Sequence, residues 1–173
     1  MKVVFLDIDG VIIHEGYHNR ETENLDSDKI EILKKLIDDT DAKIVLISNW
    51  RVFNNDDDKD IYGLLENEFL KKGLSIYEDT PIFKPEILTY EKDVNGIYKN
   101  IKYNPFTTRG GEIKSYLNNH IDIESFVIID DQNIDYDYFG FSDKFVQIDR
   151  SVGLTLEDIN KAEMVLNKNK RIR

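Results

Sequence analysis

No cysteine occurs among the 173 residues. That excludes a disulfide framework and any thiolate metal site, and it makes the cytoplasm the expected location. No apolar run approaches the roughly 20 residues of a membrane span, so no membrane partner is expected. There are only three prolines and nine glycines, and no low-complexity linker or internal repeat is visible. Positive charge is also in deficit. Lys and Arg number 23 against 34 Asp and Glu, a formal net charge of -11. Acidic chains do not hold polyanions non-specifically, because phosphate contacts need cations. Any nucleic-acid ligand must therefore be held locally. One lysine precedes strand-like residues at the N-terminus, with no small-residue cleavage site, so no signal peptide is expected.

What remains is a chain of ordinary globular composition, 40% hydrophobic and 33% charged. Its length suits a single domain over 1–173 with a proper core, and no obligate protein partner is evident. Acid clusters at Asp56-Asp57-Asp58 and Asp60, which reads as a solvated loop. The basic tail, Lys168, Lys170, Arg171 and Arg173, reads as a frayed end.

The most informative stretch is Lys2 to Ile13, KVVFLDIDGVII. Continuous apolar character ahead of a glycine predicts a strand buried on both faces, as in parallel sheets. Asp7 and Asp9 follow at its C-terminal end, where open α/β sheets bind ligands. If the backbone stays extended, both project to one side. Two such carboxylates repel unless a cation or a shared proton intervenes. The spacing therefore predicts either a metal or a nucleophile paired with a general acid.

His14 to Asn24 reads as a flap whose His14, His18 and Arg20 could reach a substrate. Asp28 to Asp39 has a helical apolar stripe, and Asp28 with Glu31 resembles a capping box. Lys43 to Ile47 is a second buried strand, delivering Ser48, Asn49, Trp50 and Arg51 at the same sheet edge as Asp7. Arg51 could clamp a phosphate bidentately or form an ion pair. Asn49 is a second candidate substrate contact, and Trp50 suits core packing better than base stacking. Asp60 to Lys72 is a helix stopped by Gly73. A short third strand is expected within 74–77 or 81–83.

Residues 84–108 read as an inserted β-hairpin turning at Val94-Asn95-Gly96-Ile97. It carries four lysines among tyrosines. That mixture suits a nucleic-acid end, or the aromatics pack on the core. Arg109 opens the next helix, where a cation would face phosphate along with the backbone amides. Lys114 is the alternative cation. Ser125 to Ile129 is a fourth buried strand ending in Asp130-Asp131, and carboxylates on two strand ends can share one Mg²⁺. Lys144 to Ile148 is a fifth strand, and Thr155 caps a last helix to about Asn167.

In order along the chain, Asp7-Ile8-Asp9-Gly10-Val11, Ser48 after the second strand, the cation near Arg109 and Asp130-Asp131 resemble the four motifs of haloacid dehalogenase-like (HAD) phosphatases. The strings FLDIDGVI, SNWR, RGGEI and IIDD, then Ile148-Asp149 and Gly153-Leu154-Thr155, look most like the HAD domain of Swiss Army Knife RNA repair proteins. That branch is similar to the phosphatase half of polynucleotide kinase-phosphatases. Members usually carry Ser-Ser or Thr-Ser ahead of Trp-Arg, whereas Asn49 follows Ser48 here.

The resemblance implies a doubly wound α/β fold with a central parallel sheet of about five strands, the first strand central. It implies Mg²⁺-dependent phosphomonoester hydrolysis. Asp7 would be the nucleophile and form an aspartyl-phosphate. Asp9 would be the general acid and then base. Ser48 and Arg109 would hold the phosphoryl oxygens. Asp7, the backbone carbonyl of Asp9 and Asp130 would hold the metal, with Asp131 a ligand or a partner of one. The expected substrate is a nucleic-acid 3′ or 5′ end. A small-molecule phosphatase, acting on a nucleotide or sugar phosphate, is the nearest alternative. A non-catalytic domain that keeps phosphate on Asp7 is the alternative of another class.

Overall fold

The computed structural model describes residues 1–54 and 59–168. Asp56 to Asp58, and Lys170, Arg171 and Arg173, lie outside the described residues. Among the described residues, seven strands and four α-helices follow in the order β1 (Lys2–Leu6), α1 (Ser27–Thr40), β2 (Lys43–Leu46), α2 (Lys59–Lys71), β3 (Ile76–Asp79), β4 (Ile87–Lys92), β5 (Tyr98–Tyr103), α3 (Arg109–Asn119), β6 (Ser125–Asp130), β7 (Phe145–Gln147) and α4 (Leu156–Asn167).

Five strands form one parallel sheet in the order β3-β2-β1-β6-β7. The apolar runs explain it, since each central strand is covered on both faces. Alternation along β1 splits the core in two. Val4 and Leu6 pack with Leu33 of α1, Phe69 of α2 and Ile159 of α4. Val3 and Phe5 pack on the other face with Ile113 and Tyr116 of α3 and with Tyr136. The chain moves outward from β1 to β3 and then returns to β6 on β1's other side. That reversal lies between β1 and β6, and ligands of doubly wound sheets bind at such a point.

Helix starts are set by side-chain caps. Thr155 and Asp158 make a full capping box at α4. At α1 the expected Asp28–Glu31 box is replaced by Asp26, whose carboxylate accepts from the Asp28 amide at 2.8 Å. The third strand is one segment, Ile76–Asp79, and does not reach 81–83.

The hairpin of β4 and β5 is antiparallel, turning through Asp93 to Ile97 with Gly96 at φ +78°. All of its strand residues are exposed. Packing of its aromatics on the core, one of the two expectations, is not what the structure shows. Tyr90 and Tyr98 meet each other instead, edge to face at 4.9 Å, and the Lys92 ammonium lies 4.7 Å from the Tyr98 ring centroid. No helix among the described residues is long and apolar enough to cross a membrane.

Candidate active site

The ends of β1, β2 and β6 and the start of α3 converge on one spot. The Asp7 amide donates to the Ile129 carbonyl at 2.9 Å, holding Asp7 at the end of the β1–β6 pairing. Asp7 is 4% exposed, and Ser48 and Asp130 are fully buried. Asp7, Asp130 and Asp131 each offer an oxygen, and these oxygens lie within 4.8 Å of one another. Arg109 reaches in between two of them. Its Nη1 is 2.6 Å from Asp130 Oδ2 and 3.2 Å from Asp7 Oδ2. Arg150 stays at the rim, 3.8 Å from Asp131 Oδ2.

Asp130 is fully held. Its Oδ2 also accepts from the Tyr136 hydroxyl at 2.6 Å, and its Oδ1 from the Gln132 amide at 2.9 Å. Asp7 is not. Its Oδ1 is buried and receives no hydrogen bond of normal geometry. Burial pushes the Asp7 carboxyl up to about 7 against the pull of Arg109. The charge of Asp130 adds to the rise, and the Ile8 amide and Ser48 hydroxyl work against it. Burial and Asp130 raise Asp131 as well. Burial alone would depress the Arg109 guanidinium, but Asp7 and Asp130 reverse that and keep it charged well above its ordinary value.

An all-oxygen cluster with one orphaned buried oxygen fits a hard divalent cation such as Mg²⁺. A buried carboxylate oxygen without a partner carries a desolvation cost that a cation would remove. The residues present therefore suit the metal that the sequence pattern implies.

Asp9 takes another position. The backbone does not stay extended past β1: amides of Val11, Ile12 and Ile13 turn back onto the Ile8 carbonyl, and Gly10 sits at φ +83°. The turn leaves Asp9 exposed while Asp7 is buried. Asp9 is not among the three carboxylates whose oxygens gather within 4.8 Å of one another. It lines a separate cavity of about 220 Å³ with His14, Tyr17, His18 and Arg150. In that flap His14 Nε2 lies 2.9 Å from Asp26 Oδ2, tying the flap to the start of α1.

Arg51 is 3% exposed and already occupied. Its Nη2 donates to Glu112 Oε2 at 3.0 Å, its Nε to the Ser48 carbonyl at 2.7 Å, and its Nη1 to Thr80 and to the Pro81 carbonyl. Glu112 uses its other oxygen on the Phe83 amide at 2.9 Å. This buried pair links the loop after β2 to α3 and to the segment leading into the hairpin. Asn49 is exposed and Lys114 is exposed further along α3; of the two candidate cations, Arg109 is the one that enters the carboxylate cluster. Trp50 is buried in the core, as its type suggested.

Two residues at the site had no role read from the sequence. Tyr136 lies in an acidic aromatic loop that carries no local sign of its hydroxyl's partner. Glu112 is an acid on a helix, and nothing local marks it as buried. Gly10 had a visible signal, as the glycine closing Asp-x-Asp-Gly. Beyond its positive φ, a Cβ there would lie 2.5 Å from Asp131 Cγ, so glycine lets Asp131 close over the loop.

Residues 3–159 match the family described as the HAD domain in Swiss Army Knife RNA repair proteins. The chain belongs to that family. The match spans every element that carries the cluster, from β1 to the start of α4. No curated protein matches the chain. Membership in this HAD family points to phosphatase-type hydrolysis and an RNA repair setting, and the buried aspartates supply a place for a metal.

Proposed function

We propose that this HAD domain is a Mg²⁺-dependent phosphomonoester hydrolase that carries the phosphoryl group transiently on Asp7 and acts on a nucleic-acid end. The observation that carries the reading is the Asp7 carboxylate. It sits buried at the central strand's C-terminal end, beside two more carboxylates and Arg109, with one oxygen free of partners.

The ionised Asp7 oxygen attacks phosphorus and the ester oxygen leaves. Asp9, exposed on the neighbouring cavity, gives that oxygen its proton and afterwards takes one from the water that releases phosphate. The Ser48 hydroxyl and Arg109 hold the phosphoryl oxygens as charge builds on them. Asp7, Asp130, Asp131 and the Asp9 carbonyl are the groups to hold Mg²⁺, which would offset the repulsion between carboxylate and phosphate. Arg51 and Glu112 keep the loop of Ser48 in place, their polar atoms engaged with each other and with nearby backbone. The net charge of -11 favours a second reading with the same chemistry, a phosphatase of small nucleotide or sugar phosphates.

The test is phosphate release with Mg²⁺ from a panel: 3′- and 5′-phosphorylated oligonucleotides, mononucleotides, sugar phosphates and an aryl phosphate. Release that favours an oligonucleotide end and vanishes in Asp7→Asn is expected. Equal release by Asp7→Asn would remove Asp7 as nucleophile. A stable phosphorylated protein without turnover would replace the hydrolase by a phospho-accepting domain.

A further inference from the structure

A cavity of about 350 Å³ opens beside Arg109, between the loop after β2, the segment leading into the hairpin and the start of α3. Its walls are Ile82, Phe83, Pro85, Tyr103 and Ile134. Most of the polar groups that also line it are already committed. Arg51 and Glu112 satisfy each other and nearby backbone. Thr107 Oγ1 donates to the Asn104 carbonyl and accepts from the Glu86 amide, and Thr108 Oγ1 donates to the Pro105 carbonyl. Asn49 is different. It is exposed, and its amide makes no hydrogen bond among the described residues. Arg109 belongs both to this cavity and to the Asp7 cluster.

A ligand here meets two aromatic rings, aliphatic walls and two polar groups without a partner among the described residues, the Asn49 amide and the Tyr103 hydroxyl. The several hydroxyls of a sugar would find fewer partners than they had in water. A flat heteroaromatic ring would stack on the rings and offer its edge to the amide, which can donate and accept together. We infer that the cavity beside Arg109 seats a nucleobase, so that the phosphate reaching Asp7 is carried by a nucleoside and not by a bare sugar. This rests on the phosphohydrolase reading and sharpens it. The cavity that holds Asp9 is the competing seat, but it is smaller, and Ile13 is the one aliphatic side chain in its lining.

Binding separates the two claims, because it needs no turnover. Titration calorimetry on Asp7→Asn in Mg²⁺ would compare adenosine 3′- and 5′-monophosphate with ribose 5-phosphate. It would also compare a 3′-phosphorylated tetranucleotide with the same strand lacking its terminal base. Base-bearing ligands should bind at least about tenfold more tightly than their base-free counterparts, given what one stacked base contributes. Adding Tyr103→Ala should collapse that ratio, and Tyr103→Phe should keep it. Tyr103 is on the exposed hairpin, so neither change threatens the core. Tighter binding of the tetranucleotide than of the mononucleotides would assign the base to a strand end; equal binding would assign it to a free nucleotide. Equal affinity with and without a base, or a ratio that responds to Tyr17→Ala in the Asp9 cavity and not to Tyr103→Ala, would overturn the inference while leaving hydrolysis intact. Absence of turnover in the wild type on every substrate would strike the hydrolase reading alone.

Discussion

The Tyr136 hydroxyl donates to Asp130 Oδ2 at 2.6 Å, the same oxygen that Arg109 reaches at 2.6 Å. A fully buried phenol therefore shares one carboxylate oxygen with the arginine that enters the cluster. The arrangement fixes Asp130 at the end of β6. It also fixes which way Arg109 points, because a guanidinium bound on one side has few other poses.

Tyr136→Phe keeps the ring and its packing and removes the donor. A hydrogen bond to a charged group contributes about 1.5–3 kcal/mol, so the metal-free variant should lose stability in that range. Urea denaturation in EDTA measures it. Mg²⁺ should recover part of the loss, since Asp130 is then held from another side. A variant as stable as the wild type would mean that the hydroxyl contributes nothing to fixing Asp130.

Arg51 and Glu112 form a buried pair, and removing one partner leaves the other charged without compensation. Such losses run to about 3–5 kcal/mol. Glu112→Ala and Arg51→Met should each lower the midpoint of unfolding strongly, and the double variant should be less harmful than the sum of the two. If Arg51 instead clamps phosphate, Arg51→Met would raise KM at nearly unchanged stability. Denaturation curves alongside kinetics decide between them.

The strands that carry the cluster were legible because their evidence is local. KVVFL, KIVL and SFVII are apolar runs, and a run buried on both faces belongs in a parallel sheet. Asp7, Ser48 and Asp130 then follow as strand ends. Arg51 was readable only as an open choice, because its partner Glu112 lies 61 residues away and no local pattern records that. That Asp9 is exposed beside a buried Asp7 was not legible, because exposure depends on how the loop after it turns back onto Ile8. The hairpin was visible from Asn95-Gly96. Whether its tyrosines face core or solvent depends on what lies beside it, which the hairpin's own residues do not encode.

The pH dependence of stability has a definite sign. Asp7 is raised from its ordinary value to about 7, chiefly by burial. Between about 4 and 7 the folded state then binds more protons at this site than the unfolded state, so stability falls as pH rises. The contribution is complete below about 4 and lost above about 7. Asp131 is raised in the same direction. In EDTA the wild type should therefore be more stable near pH 5 than near pH 8. Asp7→Asn, which cannot ionise, should narrow that difference, because a carboxyl displaced by one pH unit makes about 1.4 kcal/mol of it. Mg²⁺ should narrow it too, by favouring the charged form. A wild type equally stable at both pH values in EDTA would mean that Asp7 is already ionised without metal.

Gly10 tests the cluster from its other side. Its φ of +83° is strained for any residue with a Cβ, costing about 1–2 kcal/mol. In Gly10→Ala that Cβ would also lie 2.5 Å from Asp131 Cγ, so the Asp131 side chain has to move. Backbone strain and carboxylate displacement predict different things. Strain lowers stability with and without metal by the same amount. Displacement weakens the cation site, and changes of that kind commonly cost about tenfold or more in metal affinity. Gly10→Ala should show both, a lower Tm in EDTA and a smaller gain in Tm with Mg²⁺. Asp131→Asn should show the smaller gain alone, since it keeps the glycine and only weakens the donor. Thermal unfolding across a Mg²⁺ titration of the three proteins reads both quantities. If Gly10→Ala gains as much from Mg²⁺ as the wild type, Asp131 does not take part in holding the cation, and the site contracts to Asp7 and Asp130.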